Sequence, residues 1–383
     1  MSYNSLGRTD MKVSSLSLGA SSLGGMFAAL EDEDEAVEVV LRALKAGINL
    51  IDTAPWYRKS ECLLGRVLRR VPRQAYYINT KVGRYPPQEN EDEGGMYHMF
   101  DFRAEKVVES VHASLEILGV RYLDCVHVHD PEFSPDLRIV LEETLPALAK
   151  LKEEGLVRYI GVAGYPLPVL TRLVREAPVS LDTCLTYAHC TLLDDSLHTS
   201  GFLASLEKRG VGLINASPLA MGLLTHSTPP SWHPASEEHR ALCRQAAAFC
   251  RKHPHGPFDL ARLALLFTLA QPRVPTTLLS TACLRELDAN LLVLSRPLTA
   301  VEAEASRRLR EEILAPVQGC GWEGVEVKAY WAGVDKGEVM RRLYKGRGAS
   351  AGGGGEKIAG GGFSSTHGEP VMQRCHVKGL PGT

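Results

Sequence analysis

The chain has 383 residues, of which 44% are hydrophobic and 23% charged, and its formal net charge is −2. This is the composition of a globular protein, and the charge gives no support to nucleic acid or a charged membrane surface as a partner. The most apolar run, 260–270, is too short for a membrane span and contains Arg262. There is no apolar signal-peptide core, and the nine cysteines form no CxxC pair. We therefore expect a cytoplasmic protein with reduced thiols, no metal site and an oligomeric state that stays open.

Short apolar runs with many β-branched residues alternate with helical patterns along most of the chain. The helical patterns 33–46, 103–118 and 140–154 are each followed directly by a glycine, the residue that commonly ends a helix. Because alternating strands and helices need right-handed crossovers, the pattern predicts a parallel sheet, and eight repeats favour an α/β fold of the (β/α)8 TIM-barrel type. The predicted strands are 16–18, 48–52, 76–82, 122–129, 157–163, 181–187, 211–217 and 277–280.

The two ends of the chain differ from its middle. Residues 4–13, with turn formers Gly7 and Asp10, predict an N-terminal β-hairpin that plugs the bottom of the barrel. Residues 346–383 are rich in glycine and contain few large apolar side chains. Such a segment cannot bury enough surface to offset the entropy lost on ordering. We expect one barrel domain over 1–345 and a disordered tail over 346–383.

Four side chains that can carry chemistry fall at predicted strand ends, where (β/α)8 barrels place their active sites. Asp52, Lys81 and His129 close the second, third and fourth strands, and Tyr57 follows in the loop after Asp52. Each alone fits a structural role better than a catalytic one. Together they suit proton transfer, because a lysine cation lowers the pKa of a nearby phenol from its usual value of about 10. The pattern predicts Tyr57 as general acid in carbonyl reduction and general base in alcohol oxidation.

Several motifs resemble those of the aldo-keto reductase family, and they occur in the order in which that family carries them. The resemblance covers the chain from about Leu6 to Leu294. It implies the family's catalytic tetrad at the same four positions: Asp52, Tyr57, Lys81 and His129. The motifs are GINLIDTA at 47–54 followed by Tyr57, ECLLG at 61–65, LDCVHVH at 123–129 and SPLAMGLL at 217–224.

Three further segments resemble the branch of this family that contains L-galactose dehydrogenase and aldose 1-dehydrogenases. They are HDPEF at 129–133, IGVAGYPL at 160–167 and NASPLAMGLLT at 215–225. This resemblance implies oxidation of an L-galactose-like sugar at C1 to a lactone, with NAD as hydride acceptor. Two alternatives stay open. One is an NADPH-dependent aldehyde or ketone reductase, and the other is a cofactor-bound regulatory subunit like the potassium-channel β-subunits of the same superfamily.

The resemblance also implies a cofactor site, although two of its usual parts differ. Ala163 and Gly164 stand where many members hold the nicotinamide carboxamide with Ser-Asn, and Ala216 stands where many stack a tyrosine. We expect the backbone of Gly164 and the side chain of Tyr187 to replace them. The other cofactor residues that the resemblance implies are Gly24, Ser217, Leu219, Gly222, Ser280, Thr281, Glu286 and Asn290.

The loop after the last predicted strand bears on the choice between NAD and NADP. Members that prefer NADP often have a Lys-Ser pair and an arginine there, at positions that are Ser280, Thr281 and Glu286 in this chain. Without the lysine, and with a carboxylate in place of the arginine, the loop would repel a 2′-phosphate. NAD is the predicted cofactor, and the neighbouring Arg285 keeps NADP open.

Overall fold

The structure, a computed structural model, describes residues 1–86 and 99–344. It opens with an antiparallel hairpin of β1 (Tyr3–Ser5) and β2 (Lys12–Ser14), and eight parallel strands then close into a barrel in which β10 pairs with β3. The expected (β/α)8 barrel with an N-terminal hairpin is thus confirmed. The barrel strands are β3 (Leu16–Gly19), β4 (Leu50–Asp52), β5 (Tyr77–Val82), β6 (Leu123–His129), β7 (Val157–Gly164), β8 (Thr183–Tyr187), β9 (Gly212–Ala216) and β10 (Thr277–Ser280).

The hairpin closes the end of the barrel at which the strands begin. Its loop residues Leu6 and Met11 are fully buried, as is Val13 on β2. These side chains pack against barrel residues such as Leu50 and Ile214 in one apolar cluster. The burial of apolar surface therefore holds the plug in place.

Helices surround the barrel, and two of the three predicted ones match within one residue at each end. The third, predicted over 140–154, begins earlier and contains a wide π-helical turn, Val140–Thr144. Pro146 explains the break, because it has no N–H group to continue the regular hydrogen bonding. The helices are α1 (Glu33–Lys45), α2 (Ser60–Leu68), α3 (Ala104–Leu118), α4 (Leu137–Ile139), α5 (Leu145–Glu153), α6 (Leu167–Glu176), α7 (Ser196–Thr199), α8 (Phe202–Lys208), α9 (Glu237–Arg251), α10 (Leu260–Leu269), α11 (Leu284–Val293), α12 (Ala300–Arg308), α13 (Val325–Gly333) and α14 (Lys336–Leu343).

A buried carboxylate ties several elements together near the start of the strands. Asp124 on β6 accepts a hydrogen bond from the backbone N–H of Ile78 at 2.8 Å. Its two oxygens also pair with Arg73 at 2.5 Å and Arg158 at 2.9 Å. Only 1% of the Asp124 side chain is exposed, so these partners replace the water that the charge would otherwise need.

The expected disordered tail over 346–383, like the end of the expected barrel domain at residue 345, lies outside the described residues. Within the described ranges, no helix combines the length and the apolar character needed to cross a membrane.

Candidate active site

The pairing of neighbouring strands brings the predicted catalytic residues to one end of the barrel, which we call the mouth. Asp52 lies beside Asn79 across β4 and β5, and Lys81 lies beside His127 across β5 and β6. Successive side chains of a strand point to opposite faces, so Asn79 and Lys81 share the inner face of β5. His129 closes β6 on the same inner face as His127.

Lys81 is the centre of the tetrad. Its ammonium Nζ donates to Asp52 Oδ1 at 2.5 Å, to the backbone oxygen of Thr53 at 2.8 Å and to Tyr57 Oη at 3.3 Å. The side chain is 1% exposed. All three donors of the ammonium are therefore used, and the lysine is held between a carboxylate and the phenol.

The electrostatics of this group differ in one respect from the sequence expectation. Burial would lower the pKa of Lys81, but Asp52 and Tyr57 outweigh it and raise that pKa above its ordinary value. Burial also raises the pKa of Asp52 against the opposing effect of Lys81. The pKa of Tyr57 is likewise raised, although Lys81 was expected to bring it below that of a free phenol. The reason is that the loss of water destabilises the phenolate more than the charge of Lys81 stabilises it.

His129 faces the phenol. Its ring lies edge-on to the Tyr57 ring, with 5.8 Å between centroids, and its Nε2 is 3.6 Å from Asp130 Oδ2. Burial first, then the charges of Lys81 and Arg84, hold the pKa of His129 well below its ordinary value. The ring is therefore neutral near pH 7 and can offer one N–H to a substrate oxygen.

A second layer of hydrogen-bonded side chains lies beneath the tetrad and was not predicted from the sequence. The amide Nδ2 of Asn79 donates to Asp52 Oδ2 and lies 3.0 Å from Nδ1 of His127. The other ring nitrogen of His127, Nε2, is 2.8 Å from Thr183 Oγ1. This series of hydrogen bonds holds in place the Asp52 carboxylate that pairs with Lys81. The alternation of β5, which puts Asn79 and Lys81 on one face, was the signal that could have found it.

The rim of the mouth carries an ion pair between a half-buried arginine and a buried aspartate, which no sequence pattern indicated. Arg84, just after β5, pairs with Asp130 at 2.6 Å, and its guanidinium lies 4.4 Å from the ring centroid of Trp56. Asp130 directly follows β6 in the left-handed conformation, with φ 48°. Because loop packing alone brings these segments together, no spacing of residues along the chain reveals the pair.

The predicted cofactor residues lie on the remaining arc of the same mouth. Gly164 pairs with Thr186, Tyr187 with Ala216, and Ser280 with Gly19 across their strands. The loop after β9, which includes Leu219, is locally strained. Gly222 has a positive φ, and so do three residues that are not glycine: Ser217, Ala220 and Met221. Strain of this kind collects at functional sites.

Gly24 makes a close contact with the turn that follows β4. The prediction that it also lets the cofactor approach the backbone stays a prediction. A Cβ at Gly24 would lie 1.8 Å from the backbone oxygen of Tyr57. The missing side chain thus allows the loop after β3 to pack against the turn that carries the phenol.

The predicted phosphate loop is acidic and largely satisfied by its own contacts. Thr281 donates to Glu286 Oε2 at 2.6 Å, and Ser280 donates to Ser22 Oγ at 2.9 Å. A second carboxylate, that of Glu35 on α1, accepts the backbone N–H of Leu284 at 2.9 Å. Arg285 and Glu286 are exposed, and Asn290 follows on the same helix, α11. Both carboxylates would oppose another anion at this end of α11.

The mouth suits an organic cofactor. Several buried polar atoms near it have no partner in the described parts of the chain, among them His129 Nδ1, Glu132 Oε2 and Thr186 Oγ1. Within the same ranges, no three histidine, cysteine or acidic side chains cluster as metal ligands would. Unpaired polar atoms at a mouth lined by strained loops fit a ligand that brings hydrogen-bonding groups of its own.

A (β/α)8 barrel whose mouth joins a phenol, a lysine, a carboxylate and a histidine defines an oxidoreductase with one proton-transfer centre. The sequence pattern of the Aldo/keto reductase family matches residues 15–311, and the chain belongs to this family. It is similar to L-galactose dehydrogenase of Arabidopsis thaliana, with 39% identity over 322 residues, 83% of this chain and 95% of the relative.

Two further likenesses support the assignment. D-arabinose 1-dehydrogenase of Saccharomyces cerevisiae is 34% identical over 274 residues, which cover 68% of this chain and 76% of the relative. The solved structure of aldo-keto reductase AKR11C1 from Bacillus halodurans, in its holo form, matches with a TM-score of 0.63 and 26% identity. The match covers 81% of this chain and 96% of that one. The protein is therefore an oxidoreductase of the family, and its cofactor is a nicotinamide nucleotide.

Proposed function

We propose that the protein oxidises an aldose at C1 to the lactone, with NAD as hydride acceptor and Tyr57 as general base. The contact of 3.3 Å between Lys81 Nζ and Tyr57 Oη carries this proposal. As hydride leaves C1, the phenolate takes the proton of the C1 hydroxyl, and the lysine cation offsets part of the effect of burial, which raises the pKa of that phenol. Neutral His129 orients the C1 oxygen with a hydrogen bond.

The rim of the mouth supports a sugar substrate. Arg84 and Asp130 offer charged hydrogen-bonding groups, and Trp56 offers an aromatic face beside them. A sugar presents hydroxyl groups and apolar C–H faces together, so it can use both kinds of contact. The relatives named for L-galactose and D-arabinose oxidation support the same substrate class.

NAD rather than NADP is favoured by the charges at the phosphate loop. Glu286 and Glu35 both lie at the start of α11, and position 280 is a serine where a phosphate site would use a cation. A 2′-phosphate placed there would meet like charge, which opposes its binding. Exposed Arg285 is the group that would contradict this if it turned toward the ribose.

A panel of substrates tests the proposal. L-galactose, D-arabinose, L-fucose and simple aldehydes would each be measured with NAD and with NADP by the absorbance of the reduced nicotinamide. The expected result is the highest kcat/KM for an aldose with NAD. A preference for aldehyde reduction with NADPH would identify a reductase instead. Tight cofactor binding without turnover of any sugar or aldehyde would favour a regulatory subunit.

A further inference from the structure

The carboxyl group of Glu132 lies where a side chain at position 164 would begin. Glu132 follows β6, three residues after His129, and Gly164 ends β7. A Cβ built on Gly164 would be 2.6 Å from Glu132 Oε2, which is closer than such atoms pack. The backbone N–H of Tyr165 donates to the other carboxyl oxygen, Oε1, at 3.0 Å. The glycine therefore admits the carboxyl group, and the next residue anchors it.

One oxygen of this carboxyl group has no partner in the parts of the chain that the structure describes. Oε2 is buried and accepts or donates no hydrogen bond among the described residues. Burial, and then the negative charge of Asp130, raise the pKa of Glu132 to about 8. Near pH 7 the group is thus mostly protonated and has an O–H to donate. A buried polar atom left unpaired is unfavourable, so a ligand that pairs it gains affinity.

The position of this oxygen matches the chemistry of a nicotinamide ring. The reacting carbon, C4, must meet a substrate carbon whose oxygen lies between Tyr57 and His129. The carboxamide is attached to the adjacent ring carbon, so it comes within a few ångströms of the same place. His129 pairs with Ala163 across β6 and β7, which puts Glu132 and Gly164 at the neighbouring strand end. Neither Ala163 nor Gly164 has a polar side chain for the carboxamide.

We propose that Glu132 binds the carboxamide of the nicotinamide cofactor through Oε2, and that Gly164 is small in order to make room for it. This gives Glu132 the task that the sequence suggested for the Gly164 backbone and Tyr187. The proposal rests on a nicotinamide cofactor but not on the choice of NAD. The same measurements can therefore be made with NADP if that is the form that binds.

Calorimetric titration with NAD+ and with ADP-ribose separates this role from a structural one. ADP-ribose keeps the whole cofactor except nicotinamide. Glu132→Ala should weaken NAD+ binding about tenfold, or about 1.4 kcal/mol, and leave ADP-ribose within a factor of two of wild type. Glu132→Gln should recover part of the loss, because an amide can also pair with the carboxamide. Glu326→Gln, a change at a half-buried acid near Asp130, is the matched control and should leave NAD+ affinity unchanged.

A double-mutant cycle tests the link to Gly164. Gly164→Ala should weaken NAD+ binding severalfold in the wild-type background, since its Cβ displaces the carboxyl group. In the Glu132→Ala background the same change should have little effect. Equal losses for NAD+ and ADP-ribose, or additive losses in the cycle, would overturn the proposal. So would a Glu132→Ala protein that binds NAD+ normally and is impaired only in its KM for the sugar, because Glu132 would then contact substrate.

Discussion

Lys81 and Asp52 form an ion pair of 2.5 Å in which neither side chain is more than 4% exposed. Such a pair is costly to form and more costly to break, because removing one partner leaves the other charge buried without compensation. Lys81 also donates a hydrogen bond to the Tyr57 hydroxyl, so the ion pair influences the pKa of that phenol.

Tyr57→Phe should abolish most turnover while cofactor still binds. The change removes the exchangeable proton and keeps the ring that packs against His129. General acid–base groups contribute about 10²- to 10⁴-fold in rate, so kcat should fall within that range. Steady-state kinetics together with a cofactor titration check this. A variant with nearly full kcat would remove Tyr57 from the chemistry.

Lys81→Met and Asp52→Asn should both move the pH dependence of sugar oxidation. Oxidation needs the phenolate, so its rate rises with pH until the pKa of Tyr57 is passed. Lys81 lowers that pKa against the larger effect of burial, and removing its charge should shift the rising limb to higher pH. The charge of Asp52 by itself raises the pKa of Tyr57, but it also holds Lys81 charged and in place. We expect the second effect to be larger, so Asp52→Asn should act in the same direction as Lys81→Met. The double variant should show less than the sum of the two shifts, and additive shifts would argue against one shared network.

Gly24→Ala distinguishes the two explanations of that glycine. Since its Cβ would lie 1.8 Å from the Tyr57 backbone oxygen, the turn that carries the phenol must move. The expected result is a fall in kcat of at least about tenfold with cofactor affinity nearly retained, because small displacements of catalytic groups cost large factors in rate. The opposite pattern, weak cofactor binding with normal kcat, would support the prediction that Gly24 faces the cofactor.

Cofactor preference should respond to the two carboxylates at the start of α11. We expect wild-type kcat/KM to favour NAD over NADP by about tenfold or more, or about 1.4 kcal/mol. Glu286→Gln keeps an acceptor for Thr281 and removes the charge, so it should reduce the ratio of kcat/KM with NAD to kcat/KM with NADP. Glu286→Arg combined with Glu35→Gln should narrow it further, chiefly through KM for NADP. Ser280 is best left unchanged, because its hydroxyl joins β10 to Ser22.

Asp288→Asn on the exposed side of the same helix, where Asp288 pairs with Arg42, is the control and should not change the ratio. An unchanged ratio in the Glu286 variants would mean that this loop does not meet the ribose. A wild-type protein that prefers NADP would point to Arg285 as the phosphate ligand.

Asp124→Ala should destabilise the fold without changing the chemistry. The change leaves Arg73 and Arg158 without their shared partner and frees the backbone N–H of Ile78. We expect a loss of about 3 kcal/mol in the free energy of unfolding. Denaturant titration measures it, and kcat per folded molecule should be unchanged. Glu176→Gln, at an exposed pair with Arg172, should cost less than about 0.5 kcal/mol. Equal losses would show that the buried network is not special.

The sequence predicted the features that depend on local periodicity. Strand alternation and helix-ending glycines were enough to predict the barrel. The positions of residues at strand ends were enough to predict that the four side chains of the tetrad lie together. What it missed depends on burial and on contacts between distant segments. The raised pKa of Tyr57 follows from loss of water, which no motif encodes. The Arg84–Asp130 pair and the fit of Glu132 against Gly164 join loops after different strands, so only the folded chain reveals them.

The closed lower end of the barrel has a consequence for the exchange of protons. With Leu6, Met11 and Val13 buried beneath the strands, the half-buried Tyr57 meets solvent from the mouth, and Lys81 lies buried behind it. Substrate and cofactor seated there would cover that route. A proton taken up by Tyr57 during oxidation would then return to bulk water only after the product has left. The release of protons into a weakly buffered solution, compared with the formation of the reduced nicotinamide, would therefore report how long the lactone stays bound.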